Sequence, residues 1–330
     1  MGLALAAGVA MAGSQAVRAE SFTMGYSVGF LTDPFQAIQV DLTMAAAEKA
    51  GLKTLPVANA NGDPGKQITD MGNLIAQGAQ GIILVPTDSD AIVPGLKRAE
   101  SANVPVVAID IAPAGGKVAM IVRADNIRMG EDACRAVGAA VGGKGKVLSL
   151  MGDQATTNGR DRTTGFNDCM AKEFPNVEVI QQPTYWKTDR AQAAAQTVIT
   201  ATPDLKAVYM QSDAVMLAAV LSVLKSAGRD KPVGDPEHVY LVSIDGTPLA
   251  LEKIRAGELD AAISQPLDLY VKYGLASLQD AVAGKTFAEG PTDHDSRIEM
   301  LNGNPMDLLP APTVTKANVD DSSLWGNQVK

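Results

Sequence analysis

Histidine, cysteine and aromatic side chains are scarce in this chain: two His, two Cys and 4% aromatic residues among 330 positions. His238 and His294 stand in polar turns without ligand spacing, which disfavours a metal centre or a Ser-His nucleophile and leaves solvated side chains as their expected state. No nucleophile elbow is present either. Lys and Arg form no cluster and the net charge is −9, so nothing is arranged to neutralise phosphates, and no nucleic-acid partner is expected. No G-x-G-x-x-G follows the first strand. Gly138-x4-Gly143-Lys144 puts Gly145 where a phosphate loop needs Ser or Thr, and it follows a helix rather than a strand. No cofactor is expected.

Long apolar runs are missing as well. Residues 3–12 (Leu-Ala-Leu-Ala-Ala-Gly-Val-Ala-Met-Ala) are too few to span a bilayer, and Val17-Arg-Ala19 before Glu20 has the small-residue form of a cleavage site. Residues 1–19 therefore read as a secretory signal peptide, although the usual basic n-region is lacking. No Cys lies near residue 20 to carry a lipid, so the expectation is a soluble, exported protein in a periplasm. In that oxidising compartment Cys134 and Cys169, on separate helix-like segments, either pair as a disulfide or pack as two small hydrophobes.

What is abundant is alternation. Hydrophobic residues make up 46% of the chain, enough to bury a large core in two domains. Val239-Tyr-Leu-Val-Ser-Ile-Asp-Gly-Thr-Pro248 is an apolar run of strand length ending in Ser243 and Asp245. A helical pattern follows and closes on Gly257, and a second apolar run ends in Gln265-Pro266. This strand–carboxylate–helix–strand–amide unit repeats along most of the chain, with a break in rhythm near Asp125. Strands alternating with helices of this length predict an α/β fold of two similar, doubly wound parallel-sheet lobes. Open sheets of this kind bind ligands at the carboxyl ends of their strands. Asp33, Phe35, Asp110, Arg160, Arg162, Trp186, Ser212, Asp213, Asp245 and Gln265 all stand there. Carboxylates and Arg hold hydroxyls by charge-assisted hydrogen bonds, while aromatic faces cover the C–H faces of a sugar ring. The plainer role for each Asp is a helix cap or turn residue.

From Tyr26 onwards the chain resembles the periplasmic sugar-binding proteins of the ribose-binding type, the substrate-binding components of ABC importers. The matching pieces are Asp33-Pro34-Phe35, Val85-Pro-Thr-Asp-Ser-Asp90, Val104-Pro-Val-Val-Ala-Ile-Asp110, Ala124-Asp-Asn126, Arg160-Asp-Arg162 with Gly165-Phe166, Trp186, Gln211-Ser-Asp213, Ile244-Asp-Gly-Thr-Pro248 and Gln265-Pro266. The resemblance implies sugar contacts at Asp33, Phe35, Asp110, Arg162, Trp186, Ser212, Asp245 and Gln265. It also implies a non-enzymatic, hinge-closing monomer whose partners are a small sugar or polyol and a membrane permease, with a chemoreceptor as a further candidate. Three hinge crossings are implied near Asp125, Gln265 and Arg297. The lobes then comprise residues 20–125 plus 266–298 and residues 126–265 plus 299–330.

The site departs from the ribose-type pattern at three positions. Ile111 stands where the pattern has Arg, Ser212 where it has Asn, and Asp33 where it usually has Asn. Three carboxylates against Arg162 favour a neutral monosaccharide or sugar alcohol over a sugar acid, with a cationic amino sugar as the minority alternative. Two other classes remain for comparison. A regulator's effector domain would need a helix-turn-helix before the first strand, where an export signal stands, and a secreted α/β enzyme would need a base or metal set.

Overall fold

The computed structural model describes residues 21–329, so the expected signal peptide at 1–19 lies outside the described residues. The first lobe opens with β1 (Thr23–Val28), α1 (Pro34–Lys49), β2 (Lys53–Thr54), β3 (Ala58–Asn59), α2 (Pro64–Ala76), β4 (Gly81–Leu84), α3 (Val93–Ser101), β5 (Val106–Ile109) and β6 (Met120–Ala124). β4 and β5 are buried along their whole length, as expected of parallel strands covered on both faces. Asp33 and Asp63 accept hydrogen bonds from the first backbone N–H groups of α1 and α2, and a proline follows each at the first helical position.

The second lobe runs through α4 (Asn126–Ala140), β7 (Lys144–Met151), α5 (Thr157–Glu173), β8 (Asn176–Pro183), α6 (Thr188–Ala201) and β9 (Leu205–Met210). It continues with α7 (Asp213–Ser226), β10 (Tyr240–Asp245), α8 (Pro248–Ala256) and β11 (Ala261–Ser264). α8 ends on Gly257 at φ 74°, the left-handed cap its sequence announced. The chain then returns to the first lobe with α9 (Leu267–Val282), which packs on α1, β4, β5 and β6. β12 (Gly290–Pro291), β13 (Arg297–Leu301) and β14 (Asn304–Leu309) follow, and β15 (Thr313–Thr315) and α10 (Trp325–Gln328) close the described chain.

The sheet orders are β12-β13-β14-β6-β5-β4-β1-β2, with β3 also paired to β1, and β15-β11-β10-β9-β7-β8. All pairings among β1–β11 are parallel, and antiparallel strands occur only at the β12–β14 and β15 ends. The chain passes between sheets after Ala124, after Ser264 and after Leu309. The third passage is later than expected. β13 and β14 extend the first sheet, with β14 parallel to β6, so residues 299–309 belong to the first lobe and the crossing lies between Leu309 and Thr313. The turn at Asn302-Gly303, with φ of 51° and 80°, reverses the chain within that sheet instead of leaving it.

Cys134 on α4 and Cys169 on α5 are joined, with Cα atoms 6.1 Å apart. The two helices approach so closely that a methyl group at Gly165 would collide with the Ile127 carbonyl, and one at Gly130 with the Arg162 carbonyl. Neither histidine is merely solvated. His238 bonds the Lys231 carbonyl at 2.6 Å and Asp260 at 2.8 Å, and His294 bonds Asp293 and Asp307 while stacking on Tyr273. Both are tied into surface turns by neighbouring carboxylates, a pairing that spacing alone does not reveal. Among the described residues no helix is long and apolar enough to cross a membrane.

Candidate functional site

Parallel sheets place loops at the carboxyl ends of their strands, and here the two sets of loops face each other. Asp33 and Phe35 follow β1, and Asp110 follows β5. Arg162 sits in the second turn of α5, Trp186 after β8, Ser212 after β9, Asp245 at the end of β10 and Gln265 after β11. All eight line one small cavity of about 20 Å³, together with Gln36, Ile111 and Asn158. Arg160 stays outside it, pairing with Asp90 at 3.2 Å near the rim. Asp213 also stays out. It receives Ser243 Oγ and the Gly246 and Thr247 N–H groups at 3.0, 2.9 and 3.1 Å, and so fixes the turn that carries Asp245.

Several of these residues are held in backbone conformations that L side chains avoid. Asp110, Trp186 and Asp245 have φ of 64°, 56° and 119°, each costing on the order of 1–3 kcal/mol. Such strain persists only where the surroundings over-determine it. At Asp245, Trp325 Nε1 donates to its backbone carbonyl at 3.0 Å. At Trp186 the indole lies against Gly152, where any side chain would clash with the ring.

The second lobe contributes a closed hydrogen-bond system. Asp245 Oδ2 accepts from Ser212 Oγ at 2.6 Å and from Ala214 N at 3.3 Å, and Oδ1 accepts from Gln265 Nε2 at 2.7 Å. Arg162 donates to Asn126 Oδ1 at 2.8 Å and to the Gln211 carbonyl at 2.5 Å, lies 3.8 Å from Asp245 Oδ1, and stacks 5.7 Å from the Trp186 ring centre. Its Nη2 is buried with no partner among the described residues. The first lobe is less saturated. Among the described residues the Asp33 carboxylate accepts only from Phe35 N, at 2.9 Å, and the Asp110 carboxylate only from Asn158 Nδ2, at 2.7 Å.

The lobes also touch directly. Besides Asn158–Asp110, Arg123 pairs with Asp161 at 2.8 Å and Thr157 N donates to Ser89 Oγ at 2.9 Å. Thr157 Oγ1 both accepts from Ala112 N and donates to Ala112 O, at 3.1 Å each. The arrangement is a closed cleft.

Closure sets the electrostatics. Burial first, and then the Asp245 charge from the facing lobe, push the Asp33 carboxyl up to about 8. Burial raises Asp110 to about 6, against the pull of Arg162 and Asn158. Burial also raises Asp245, with Arg162, Ser212 and Gln265 opposing. A carboxyl whose pKa is higher in the closed form makes that form bind the proton more tightly. The resulting stabilisation of the ligand-free closed form is therefore complete below the ordinary carboxyl range and is lost as pH rises through about 8 for Asp33. Small-angle scattering of the ligand-free protein should give a larger radius of gyration at about pH 9 than at about pH 5. A radius that is constant or shrinks with pH overturns this account.

Gln36, Asn158 and Trp325 were not anticipated. Asn158 has a sequence-level cue: the Thr156-Thr-Asn-Gly159 run reads as a loop but is a capped helix start, since Thr156 Oγ1 accepts from Gly159 N. A wider groove on the outer face of the second lobe, flanked by Lys225, Arg229, Lys231 and Lys253, holds none of the strand-end residues. Its Arg229 is already bonded to the Thr202 and Leu205 carbonyls.

The profile of the periplasmic binding protein domain matches residues 24–286. The ribose import binding protein RbsB of Bacillus subtilis is 30% identical over 266 residues, covering 81% of this chain and 83% of that protein. The xylitol-binding protein of Mycolicibacterium smegmatis is 29% identical, with 82% and 74% covered. Among solved structures, an ABC transporter solute binding protein from Mycobacterium smegmatis with bound glycerol superposes at a TM-score of 0.79 and 26% identity, with 91% and 96% covered. The Caulobacter myo-inositol binding protein gives 0.80 at 23% identity, with 96% and 99% covered, a likeness of fold.

Proposed function

The chain belongs to the periplasmic binding protein family, and from that membership we propose that it is the substrate-binding component of an ABC sugar importer. Its two lobes close around a neutral monosaccharide or sugar alcohol, which is released unchanged to a membrane permease. One observation carries the reading: the strand-end residues of both lobes converge on a single cavity that leaves Arg162 Nη2 without a partner and Asp33 and Asp110 with one protein hydrogen bond each. Ligand hydroxyls serve both needs, accepting from Arg162 and donating to the carboxylates, while Phe35 and Trp186 cover the ring or chain carbons. A ligand that touches both lobes favours the closed form by its differential contacts. The site residues are Asp33, Phe35, Asp110, Arg162, Trp186, Ser212, Asp245 and Gln265, with Gln36 and Asn158 added by position. The protein acts as a monomer in the periplasm after cleavage before Glu20, and mass spectrometry of the exported chain should find Glu20 first.

The deciding experiment is a thermal-shift screen of the mature chain against pentoses, hexoses and polyols, followed by scattering with the best compound. A ligand at 100 times its dissociation constant stabilises by about 2.7 kcal/mol, and its complex should be more compact than the free protein at the same pH. If no sugar or polyol stabilises the protein, the proposal fails.

A further inference from the structure

The cavity's charges are unevenly matched. Three carboxylates and one guanidinium line it, and the pairing among them is one-sided. Asp245 takes Arg162, Ser212, Gln265 and the Ala214 N–H. Asp33 and Asp110, both from the first lobe, feel Arg162 only at longer range and form no direct ion pair among the described residues. Asp33 has one backbone N–H and Asp110 one carboxamide. The nearby Arg123 is held by Asp161 and Asn158. Ile111, which is 3% exposed, forms the wall next to Asp110 without charge or donor.

A neutral hydroxyl brings one donor and no charge, so closing the cleft on a neutral ligand leaves two buried, under-bonded carboxyl groups with no added positive charge. A primary ammonium brings three donors and a full charge, which matches two under-bonded carboxylates directly.

We infer that the cleft binds the amine-bearing counterpart of its sugar or polyol, with the ammonium group against Asp33 and Asp110, more tightly than the neutral parent. This rests on the reading of the cavity as a sugar or polyol site and narrows the class of ligand that fits it best.

The test is calorimetry on the mature chain near neutral pH with matched pairs. These are glucose and glucosamine, galactose and galactosamine, mannose and mannosamine, myo-inositol and its monoamino derivatives, and xylitol and ribose with their aminodeoxy derivatives. In at least one pair the amine should bind about tenfold tighter or more. N-acetylation, which removes the charge, should abolish the advantage, and Asp33→Asn and Ile111→Arg should each lower the ratio of amine to neutral affinity, whatever they do to binding of the neutral parent. If every neutral parent that binds does so at least as tightly as its amine, the inference falls and the sugar-binding function stands. If the preference is undiminished in both variants, its assignment to Asp33 and Asp110 falls. If no member of any pair binds, the proposed function fails and takes this inference with it.

Discussion

Replacing Asp245 with alanine is expected to weaken ligand binding by about 2–5 kcal/mol, the range for removing one partner of a buried, hydrogen-bonded charge. The size follows from how many groups that carboxylate organises. Ser212 Oγ, Gln265 Nε2 and the Ala214 N–H all donate to it, and Arg162 stands 3.8 Å away. Without it, Arg162 is a buried cation that has lost its nearest carboxylate, and Gln265 loses the bond that fixes its amide, whose Oε1 accepts from Tyr270 at 3.0 Å. The strain at this position, φ 119°, also loses its purpose once the side chain is gone. Calorimetry with the best compound from the ligand screen measures the loss. An affinity within about threefold of the parent protein, under 1 kcal/mol, would mean that Asp245 shapes the second lobe without serving the ligand.

The second large effect is on stability. Changing both Cys134 and Cys169 to alanine should lower the free energy of unfolding by about 3–4 kcal/mol, since the bond closes a loop across 35 positions. The same change should reach the cleft in milder form. α5 carries Asn158 and Arg162, and α4 carries Asn126, which accepts from Arg162 Nε. Loosening one helix against the other therefore loosens the hold on the guanidinium. Guanidinium chloride unfolding of the double variant gives the first quantity and calorimetry the second. A stability loss below about 1 kcal/mol would show that the close backbone contacts at Gly130 and Gly165 keep the helices together without the disulfide.

The two-lobed α/β fold and the lining of the cavity were legible in the sequence because both follow from backbone topology. A parallel sheet buried on both faces writes itself as short apolar runs, and its ligand side must be where those runs end. Asp33 and Gln265 are far apart in sequence, yet the rule sends both to the same cavity. Residues outside that rule were harder to see. Gln36 lies in the first turn of a helix, where polar residues are common, and Asn158 lies in a Thr-Thr-Asn-Gly run whose composition says loop. The late third crossing was hidden for the same reason. Gly303-Asn-Pro305 has turn composition, but only its beginning turns, and Pro305 is already paired with Met300 across a hairpin of the first sheet. Trp325 gave no local signal at all, since its indole serves a carbonyl 80 positions away.

The two tryptophans of this chain both sit at the seam. Trp186 packs on Arg162 inside the cleft. Trp325 bonds the Asp245 carbonyl of the second lobe and meets Phe35 of the first edge-on, with ring centres 5.6 Å apart. Indole emission from the unlabelled protein is therefore a report on lobe closure, with one fluorophore lining the cavity and the other bridging the joint. It is also a selective report. The first sheet and its helices contain no indole, so an emission-monitored melt follows the second lobe and the seam while the first lobe unfolds in the dark.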